Sequence, residues 1–236
     1  MHYFWEMKAV ISGATRGIGK VIAQKLVELG YDLVLLARNE EELERCKLEL
    51  SNAENQVQIL SVDLSLEDAP SVLATNAGIF KNTTLLVNNL GVYSMQNAAN
   101  LDLKQVQAQI NVNLYSAITL TQQVLEVEQN QELKNIVNIA SVMSLRATSF
   151  ATDYSISKHA FKAWNDGLRE ELRAKGKKVS AIYPGSVNTS SWDGIEVDRA
   201  AMIQAEDIAE MVACILAMKA NTLLEEIHVS PTTFTN

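Results

Sequence analysis

The stretch that decides the fold runs from Lys8 to Gly30 and is KAVISGATRGIGKVIAQKLVELG. Its first part, residues 8–12, is a short apolar run of the kind found in buried strands. Residues 17–29 are typical of a helix, and Gly30 is a favoured residue just after a helix end. The stretch therefore predicts a buried strand that is joined by a tight loop to a helix.

The loop between this strand and this helix is SGATRGIG, in which Gly13, Gly17 and Gly19 are spaced G-x-x-x-G-x-G. Glycines permit a tight turn and a close approach of the backbone to a ligand. The helix that follows presents free N–H groups and the positive end of its dipole to a pyrophosphate. A plain chain reversal is the alternative, but the position of the loop directly after the first strand favours nucleotide binding.

Short apolar runs alternate with longer amphipathic segments over the 236 residues, of which 47% are hydrophobic. The runs are rich in Val, Ile and Leu, as in strands that are buried on both faces. Predicted strands cover residues 8–12, 32–37, 57–62, 84–88, 135–140, 179–183 and 226–229. Predicted helices cover residues 17–29, 40–50, 102–127, 151–174 and 205–218. Because right-handed crossovers place helices on both faces of such a sheet, we predict an α/β Rossmann fold with a doubly wound, parallel, seven-stranded sheet. We expect one domain over residues 1–236.

Composition argues against several classes of protein. The net charge of −8 leaves no basic surplus for nucleic acid or an acidic membrane surface. Cys46 and Cys214 lie on different predicted helices without the spacing of a disulfide framework or a metal site, so we expect reduced thiols and no metal. The chain lacks an apolar run of the ~18 residues that a membrane helix needs, and its first residues do not resemble a signal peptide. We therefore expect a cytoplasmic protein without nucleic-acid or membrane partners.

Chemistry-bearing motifs follow the glycine loop. They are SVDLS with Asp63, NNLG over residues 88–91, INVNLYS with Asn113, Ser141, the Y-x-x-x-K pair Tyr154 and Lys158, and YPGSVNT over residues 183–189. Most of them stand just after a predicted strand. Because ligands of such sheets bind at the carboxyl ends of the strands, these motifs predict one site along that edge.

With these motifs, the sequence resembles the short-chain dehydrogenase/reductase family from about residue 8 to residue 230. Ser12 replaces the Thr of the family's glycine motif, and Leu90 replaces a small residue, which we expect to crowd the wall near the ribose. The C-terminal EEIHVSP lacks the glycine pair of many members. In this it is similar to the NADP-dependent branch of serine and 3-hydroxy acid dehydrogenases and carbonyl reductases.

The resemblance implies that Asn113, Ser141, Tyr154 and Lys158 are catalytic. Tyr154 and Lys158 are four residues apart and so project from one face of a helix. A free phenol has a pKa of ~10, and we expect the nearby ammonium to lower it, so that Tyr154 acts as general acid and base. Ser141 is implied to hold the substrate oxygen, with its neighbour Ser144 as the alternative. Asn113 is implied to interrupt its helix and to anchor a water that leads to Lys158.

The resemblance also implies the cofactor contacts, with Asp63 near the adenine, Lys158 on the nicotinamide ribose and the P-G loop against the nicotinamide. The full set is Gly13, Thr15, Arg16, Gly17, Ile18, Gly19, Arg38, Asp63, Leu64, Asn89, Gly91, Tyr154, Lys158, Pro184, Gly185, Val187 and Thr189. NAD-type sites hold an acidic residue near the end of the second strand. Here Arg38 stands at that place, Asp32 lies at the opposite end, and Arg16 adds a second cation, so we predict NADP(H) in preference to NAD(H).

We therefore predict an oxidoreductase that transfers a hydride between NADP(H) and a small carbonyl or alcohol. A non-catalytic NADP(H) sensor on the same fold is the alternative, since fold alone does not fix function. The complete set of four catalytic residues favours the enzyme. The segment 190–205, which is expected to cover the substrate, is short and contains three acidic residues and Arg199. We therefore expect a small or open-ended substrate without strong negative charge.

The two long predicted helices, 102–127 and 151–174, carry apolar residues beyond a single core stripe. In the family these helices pair across a two-fold axis, and closed symmetry is usual for oligomers. We therefore expect a homodimer or a homotetramer. Phe161 and Trp164 are expected to pack, either within the chain or between subunits.

Overall fold

The computed structural model of the chain describes residues 7–127 and 132–233. Seven parallel strands form one sheet: β1 Lys8–Ser12, β2 Asp32–Ala37, β3 Val57–Ser61, β4 Leu85–Asn88, β5 Asn135–Ile139, β6 Lys178–Pro184 and β7 Glu226–Val229. The helices are α1 Gly17–Glu28, α2 Glu40–Leu50, α3 Ala69–Thr75, α4 Leu103–Ile110, α5 Ser116–Val127, α6 Thr152–Arg173 and α7 Ala205–Ala217. The predicted fold is confirmed, and every predicted strand end lies within one residue of its observed position.

The order of the strands across the sheet is β3-β2-β1-β4-β5-β6-β7. The chain therefore adds β2 and β3 on one side of β1, then returns and adds the other four strands on the opposite side. The segments that follow β1 and β4 diverge at this point and leave a crevice between them. The glycine loop lies on one side of that crevice and residues 89–91 lie on the other.

Alternation along the strands divides the core between the two faces of the sheet. In β1, Ile11 packs on one face and Val10 on the other, and both are fully buried. The first face is covered by α1, α2 and α7 through Ile22, Leu26, Leu43, Ile208 and Val212. The second face is covered by α3, α5 and α6 through Leu73, Leu120, Val124 and Leu172. Helices on both faces explain why the strands are continuous apolar runs.

A smaller third cluster packs where α6 crosses the sheet, and it accounts for two of the predicted packing residues. Phe161 is 2% exposed and belongs to this cluster together with Tyr183, while Trp164 packs against it and is only partly buried. The Phe161 and Trp164 rings meet edge to face with centroids 5.4 Å apart. Both side chains therefore pack within the chain.

The helices differ from the prediction in two places. The predicted helix 102–127 is divided into α4 and α5 by a π-helical turn, Asn111–Tyr115, which confirms the predicted interruption at Asn113. Helix α3 was not predicted. It has only seven residues and buries only Ala69 and Leu73, so its sequence is too short to show a helical period of apolar residues. Among the residues that the structure describes, no helix combines the length and the apolar character that spanning a bilayer requires.

Helix α1 approaches the loops after β1 and β4 so closely that one of its positions has no room for a side chain. A methyl group on Gly19 would overlap the carbonyl oxygen of Gly13 and the side-chain amide of Asn89. Gly167 in α6 is the opposite case, since a methyl group there would meet nothing within 4 Å.

We therefore expect Gly19→Ala to destabilise the protein by about 1–3 kcal/mol, as overpacked positions do. Gly167→Ala is the matched control and should stabilise it by up to ~1 kcal/mol, because alanine has the higher helix propensity. Urea unfolding of the two variants measures both effects. Equal stability of the two variants would contradict the close approach.

Candidate active site

The crevice beside β1 continues into a cleft formed by two adjoining cavities of about 380 and 340 Å³. Both are lined by the residues that follow the carboxyl ends of the strands. Six residues line both cavities and mark the boundary between them: Ile18, Asn89, Gly91, Val92, Thr189 and Ser191. The larger cavity holds Ser141, Tyr154 and Lys158, and the smaller one holds the glycine loop. We call them the catalytic cavity and the loop cavity.

The glycine loop forms one wall of the loop cavity in a conformation that suits glycine. Gly13 has φ +65°, and its N–H donates to the carbonyl of Leu36 at 2.9 Å. Gly17 has φ +52° and lies against Thr189. Arg16 precedes α1 without making a side-chain cap. The N–H groups of the first turn of α1 therefore stay available to an anion in the cavity.

Hydrogen bonds connect the two sides of the crevice. The Asn89 side chain donates to the carbonyl oxygens of Gly13 at 2.9 Å and of Ser12 at 3.2 Å. The Ser12 hydroxyl accepts from the amides of Asn89 and Leu90 at 3.1 and 3.2 Å. Leu90, expected to crowd the ribose wall, lines the loop cavity and packs its side chain on the second face of the core.

The outer end of the loop cavity carries both predicted arginines. Arg16 and Arg38 line the cavity and are exposed. Glu42 lines it too, and the sequence analysis did not predict this residue. Arg38 Nη1 lies 3.7 Å from Asp63 Oδ2. Burial raises the pKa of Asp63, but hydrogen bonds from Ser65 and the charge of Arg38 outweigh this and leave that pKa lowered. Two guanidinium groups thus face the cavity with one carboxylate, Glu42, in its wall.

The catalytic cavity brings together three of the four predicted catalytic residues. Ser141 is 8% exposed at the end of β5, and its hydroxyl accepts from the Met143 amide at 3.1 Å. Tyr154 stands in the first turn of α6 and lines the cavity together with Ser141. Lys158 is 3% exposed, and its Nζ donates to the Ile139 carbonyl at 3.3 Å and lies 5.8 Å from the centre of the Tyr154 ring. The alternative, Ser144, is buried and does not line the cavity.

The pKa of Tyr154 beside Lys158 differs from the value expected from the sequence, which was a lowered one. Burial raises the pKa of Tyr154 to about 12, and the Ser141 hydroxyl offsets this only in part. Burial also lowers the pKa of Lys158 to about 8. The expected lowering of the phenol pKa by the ammonium is therefore wrong for the protein without cofactor. Burial is the largest cause of both pKa shifts, and no hydrogen bond joins the Lys158 ammonium to the Tyr154 hydroxyl among the described residues.

Asn113 lies behind the cavity wall and does not line it. It is fully buried, and its Oδ1 accepts from the Val92 amide at 2.8 Å. Its Nδ2 lies within hydrogen-bond distance of the Val92 carbonyl, Gln109 Oε1 and Ser157 Oγ, at 3.0, 2.8 and 2.9 Å. The π-helical turn directs this amide inward, so Asn113 fixes the chain segment that follows Gly91.

The remaining predicted cofactor residues fall into three groups. Gly13, Thr15, Arg16, Gly17, Ile18, Arg38, Leu64, Asn89, Gly91 and Thr189 line the loop cavity. Pro184, Gly185 and Val187 line the catalytic cavity with Tyr154 and Lys158. Gly19 and Asp63 line neither: Gly19 is packed under Gly13, and the Asp63 carboxylate accepts from the Ser65 hydroxyl at 2.6 Å. Within residues 7–127 and 132–233, no group of three metal-ligating side chains occurs.

Comparison with known proteins agrees with this arrangement. Residues 7–200 match the family model for short chain dehydrogenases. The chain belongs to the short-chain dehydrogenase family. An uncharacterised oxidoreductase of Staphylococcus epidermidis is 28% identical over 227 residues, which cover 96% of this chain and 97% of that protein.

Two solved structures show the same family fold. A metagenomic short-chain oxidoreductase in complex with NADP has a TM-score of 0.80 and 29% identity, with 97% of this chain and 98% of that one covered. An alcohol dehydrogenase from Thermococcus sibiricus, complexed with 5-hydroxy-NADP, has a TM-score of 0.87 and 23% identity over 98% and 99% of the two chains. This protein is therefore an oxidoreductase of the short-chain dehydrogenase family.

In this short-chain dehydrogenase, sequence reasoning missed a buried carboxylate next to Tyr154. Asp153 is fully buried, and its Oδ2 accepts from the Ser94 hydroxyl and, at 3.3 Å, from Gln96 Nε2. These bonds hold the irregular segment that carries Tyr93 and Met95 into the cavity wall. In the sequence, Asp153 has the pattern of an ordinary acidic residue in a first helical turn.

The segment 190–205, which was expected to cover the substrate, contributes Trp192 and Ile195 to the lining of the catalytic cavity. The sequence did not predict the other large apolar side chains of that lining, which are Tyr93, Met95, Val142, Met143 and Phe150. They come from segments without regular secondary structure or from single turns, so no periodicity marks their direction.

The buried ammonium of Lys158 predicts a stability effect. The pKa of Lys158 is about 8 in the folded protein and has the ordinary value of 10.5 in the unfolded chain. Between pH 8 and pH 10.5 the unfolded chain therefore binds more protons. The free energy of unfolding of the wild type accordingly rises with pH over this range. Lys158→Met removes the buried charge. We expect the variant to be more stable at pH 7 by up to about 3 kcal/mol, since each pKa unit corresponds to ~1.4 kcal/mol.

The advantage of Lys158→Met should shrink as the pH rises from 8 towards 10, which urea unfolding at several pH values measures. Lys162→Met is the matched control one turn further along α6. Lys162 pairs with Asp166 at 2.9 Å and Glu226 at 2.6 Å, so its loss should not stabilise the protein. If Lys158→Met is less stable than the wild type at pH 7, the conclusion that the Lys158 ammonium is buried at a net cost is wrong.

Proposed function

We propose that this short-chain dehydrogenase interconverts a carbonyl compound and its alcohol with NADP(H), and that Tyr154 is the general acid and base. One observation carries the proposal: Ser141, Tyr154 and the buried Lys158 line one cavity, which adjoins the glycine-loop cavity. A protein that only senses a dinucleotide needs no phenol, serine and lysine at the end of its binding cleft.

The residues of the loop cavity fit a dinucleotide. A methyl group on Gly13 would lie 3.1 Å from Leu90 Cα, so a side chain there would force apart the two loops that border the cavity. The uncapped first turn of α1 suits a pyrophosphate. The glycine loop and Leu64 would hold the adenosine half, and Asn89, Lys158 and the loop from Pro184 to Thr189 would hold the nicotinamide half.

Two charges favour NADP(H) over NAD(H). Arg16 and Arg38 face the outer end of the loop cavity, and a guanidinium binds a phosphate well. The relative of known structure at 29% identity is in complex with NADP. The carboxylate of Glu42 opposes a phosphate in the same cavity, but the two cations outnumber it.

The chain's own groups would handle the proton and the substrate oxygen. Bound NADP(H) would supply or accept the hydride. The pKa of about 12 keeps the Tyr154 phenol protonated at neutral pH, so it is ready to donate to a carbonyl oxygen. Ser141, fixed by the Met143 amide, would hold that oxygen. In the reverse direction Tyr154 would accept a proton as the phenolate. The positive charge of Lys158 nearby would stabilise that phenolate.

We further propose that residues 1–236 are one domain, because one sheet contains strands from Lys8 to Val229. A homodimer or homotetramer is supported by exposed apolar side chains on the two long helical segments. Leu103 in α4 is 78% exposed, Tyr115 in the π-helical turn 50% and Ile156 in α6 38%.

Tyr154→Phe removes one oxygen and keeps the ring, so folding and NADPH binding should survive. We expect turnover to fall by ~10²–10⁴-fold, the usual contribution of positioned proton transfer. Lys158→Met should also lower turnover and should weaken NADPH binding, and the two losses should not add fully because both act through one phenol. NADPH oxidation followed at 340 nm against a panel of aldehydes and ketones measures turnover.

The control for this experiment is Tyr31→Phe, which makes the same change directly before β2, at the amino ends of the strands and outside both cavities. It should leave turnover unchanged. Near-normal turnover in Tyr154→Phe with NADPH still bound would require another proton donor. NADPH binding by the wild type without turnover of any compound in a broad panel would favour the sensor.

Cofactor preference is tested best with Arg38→Gln. Arg38→Asp is expected to favour NAD(H) by adding a ribose acceptor, but it also sets a second carboxylate beside Asp63, so the neutral variant is cleaner. We expect Arg38→Gln to weaken NADPH binding by ~10-fold or more and to leave NADH binding nearly unchanged. Arg45→Gln, at an exposed position of α2 outside the cavity lining, is the control. Wild-type dissociation constants that are equal for the two cofactors would overturn the proposal.

A further inference from the structure

Apart from Ser141, Tyr154 and Lys158, much of the lining of the catalytic cavity is apolar. It includes the seven side chains named above, which we call the apolar wall: Tyr93, Met95, Val142, Met143, Phe150, Trp192 and Ile195. Several keep much of their surface exposed: Met95 is 62% exposed, Ile195 46%, Tyr93 40% and Phe150 39%. Grouped apolar side chains that stay exposed at the mouth of a cavity mark a surface that an apolar ligand covers.

Charged side chains are nearly absent from this cavity. Of the described residues that line it, Lys158 is the only charged one, and it belongs to the proton-transfer group. The nearest cation of the covering segment is Arg199, which is occupied: it donates to Asp193 at 2.9 Å, to Asn188 Oδ1 at 3.2 Å and to the Thr189 carbonyl at 3.2 Å. The cavity therefore offers a substrate carboxylate no side-chain cation beyond Lys158.

The covering segment places its apolar and acidic residues on different sides. Trp192 and Ile195 line the cavity, whereas Asp193, Glu196 and Asp198 do not. Asp193 is paired with Arg199 at 2.9 Å, while Glu196 and Asp198 are exposed and lie one and three residues from Ile195. An anion that enters the cavity would lose its water without gaining a side-chain cation beyond Lys158, which is costly.

We propose that the substrate is an uncharged ketone, aldehyde or alcohol that carries a bulky apolar or aromatic group, and that carboxylate-bearing substrates are rejected. This inference rests on the proposed function and names its substrate class. The apolar group would lie on the apolar wall, while the oxygen meets Ser141 and Tyr154. Met95 and Met143 give the wall flexible, polarisable side chains, which predicts tolerance of shape within this class. The sequence resemblance to hydroxy acid dehydrogenases thus does not extend to the substrate.

The test uses two ketones that differ in charge and share the reacting group: ethyl phenylglyoxylate and phenylglyoxylate. With the holoenzyme and NADPH, we expect kcat/KM for the ester to exceed that for the acid by at least ~100-fold, because a desolvated carboxylate would find no partner. Ethyl pyruvate replaces the phenyl ring by a methyl group and tests the apolar wall. Its kcat/KM should be at least ~10-fold below that of the phenyl ester.

A charge added to the wall should change this preference. Met95→Lys places an ammonium at the exposed mouth, and we expect it to reduce the ester-to-acid ratio at least ~10-fold. Leu48→Lys is the matched control, since Leu48 is 79% exposed on α2 and does not line the cavity. It adds the same charge to the protein and should keep the wild-type ratio.

Calorimetry separates this inference from the proposed function. Ethyl mandelate and mandelate, the alcohols of the same pair, are titrated into the NADPH-loaded protein, which cannot oxidise them. Binding of the ester without reduction of any ketone supports the apolar site and overturns the proposed function. Reduction of the free acid as fast as the ester overturns the inference and leaves the proposed function standing. If neither ester nor acid binds or reacts, the inference is wrong.

Discussion

The close approach of α1 to the loops after β1 and β4 is the constraint on which the rest of the structure depends. It requires Gly19 to lack a side chain, because the Gly13 carbonyl and the Asn89 amide occupy that space. The same approach lets Asn89 donate to Gly13 and lets Ser12 accept from the amides across the crevice. Since α1 begins at the crevice without a side-chain cap, the packing that closes the core also presents its free N–H groups to the cleft.

Buried polar groups behind the catalytic cavity hold irregular chain in place. Asn113 binds both the amide and the carbonyl of Val92, and Asp153 accepts from Ser94 and Gln96. These bonds satisfy backbone and side-chain groups that would otherwise be costly to bury. The segment between Gly91 and Gln96 is therefore fixed at alternate residues, and the side chains of Tyr93 and Met95 between those bonds are left to form the wall.

The sequence predicted the sheet and the glycine loop because both depend on local patterns. A strand buried on both faces is a continuous apolar run, and a loop with positive φ requires glycine at Gly13 and Gly17. Most of the wall was not predictable in this way, since Tyr93 and Phe150 lie in segments without regular secondary structure, whose direction is set by tertiary contacts. The pKa of Tyr154 was mispredicted for a related reason: the spacing to Lys158 indicates an ammonium nearby, but burial, which the sequence does not show, has the larger effect.

Local charge, not the charge of the whole chain, governs what this cleft can hold. A net charge of −8 opposes a phosphorylated dinucleotide at long range, but salt screens such charges beyond ~8 Å under physiological conditions. Within that distance the loop cavity has Arg16, Arg38 and the positive end of α1, with Glu42 as the opposing charge in its lining. The catalytic cavity has no such surplus, since its only charged lining side chain among the described residues is Lys158. The loop cavity thus attracts anionic groups, and the catalytic cavity favours uncharged, apolar ones. This difference favours one arrangement, with the phosphates of the dinucleotide in the loop cavity and its reaction partner in the catalytic cavity.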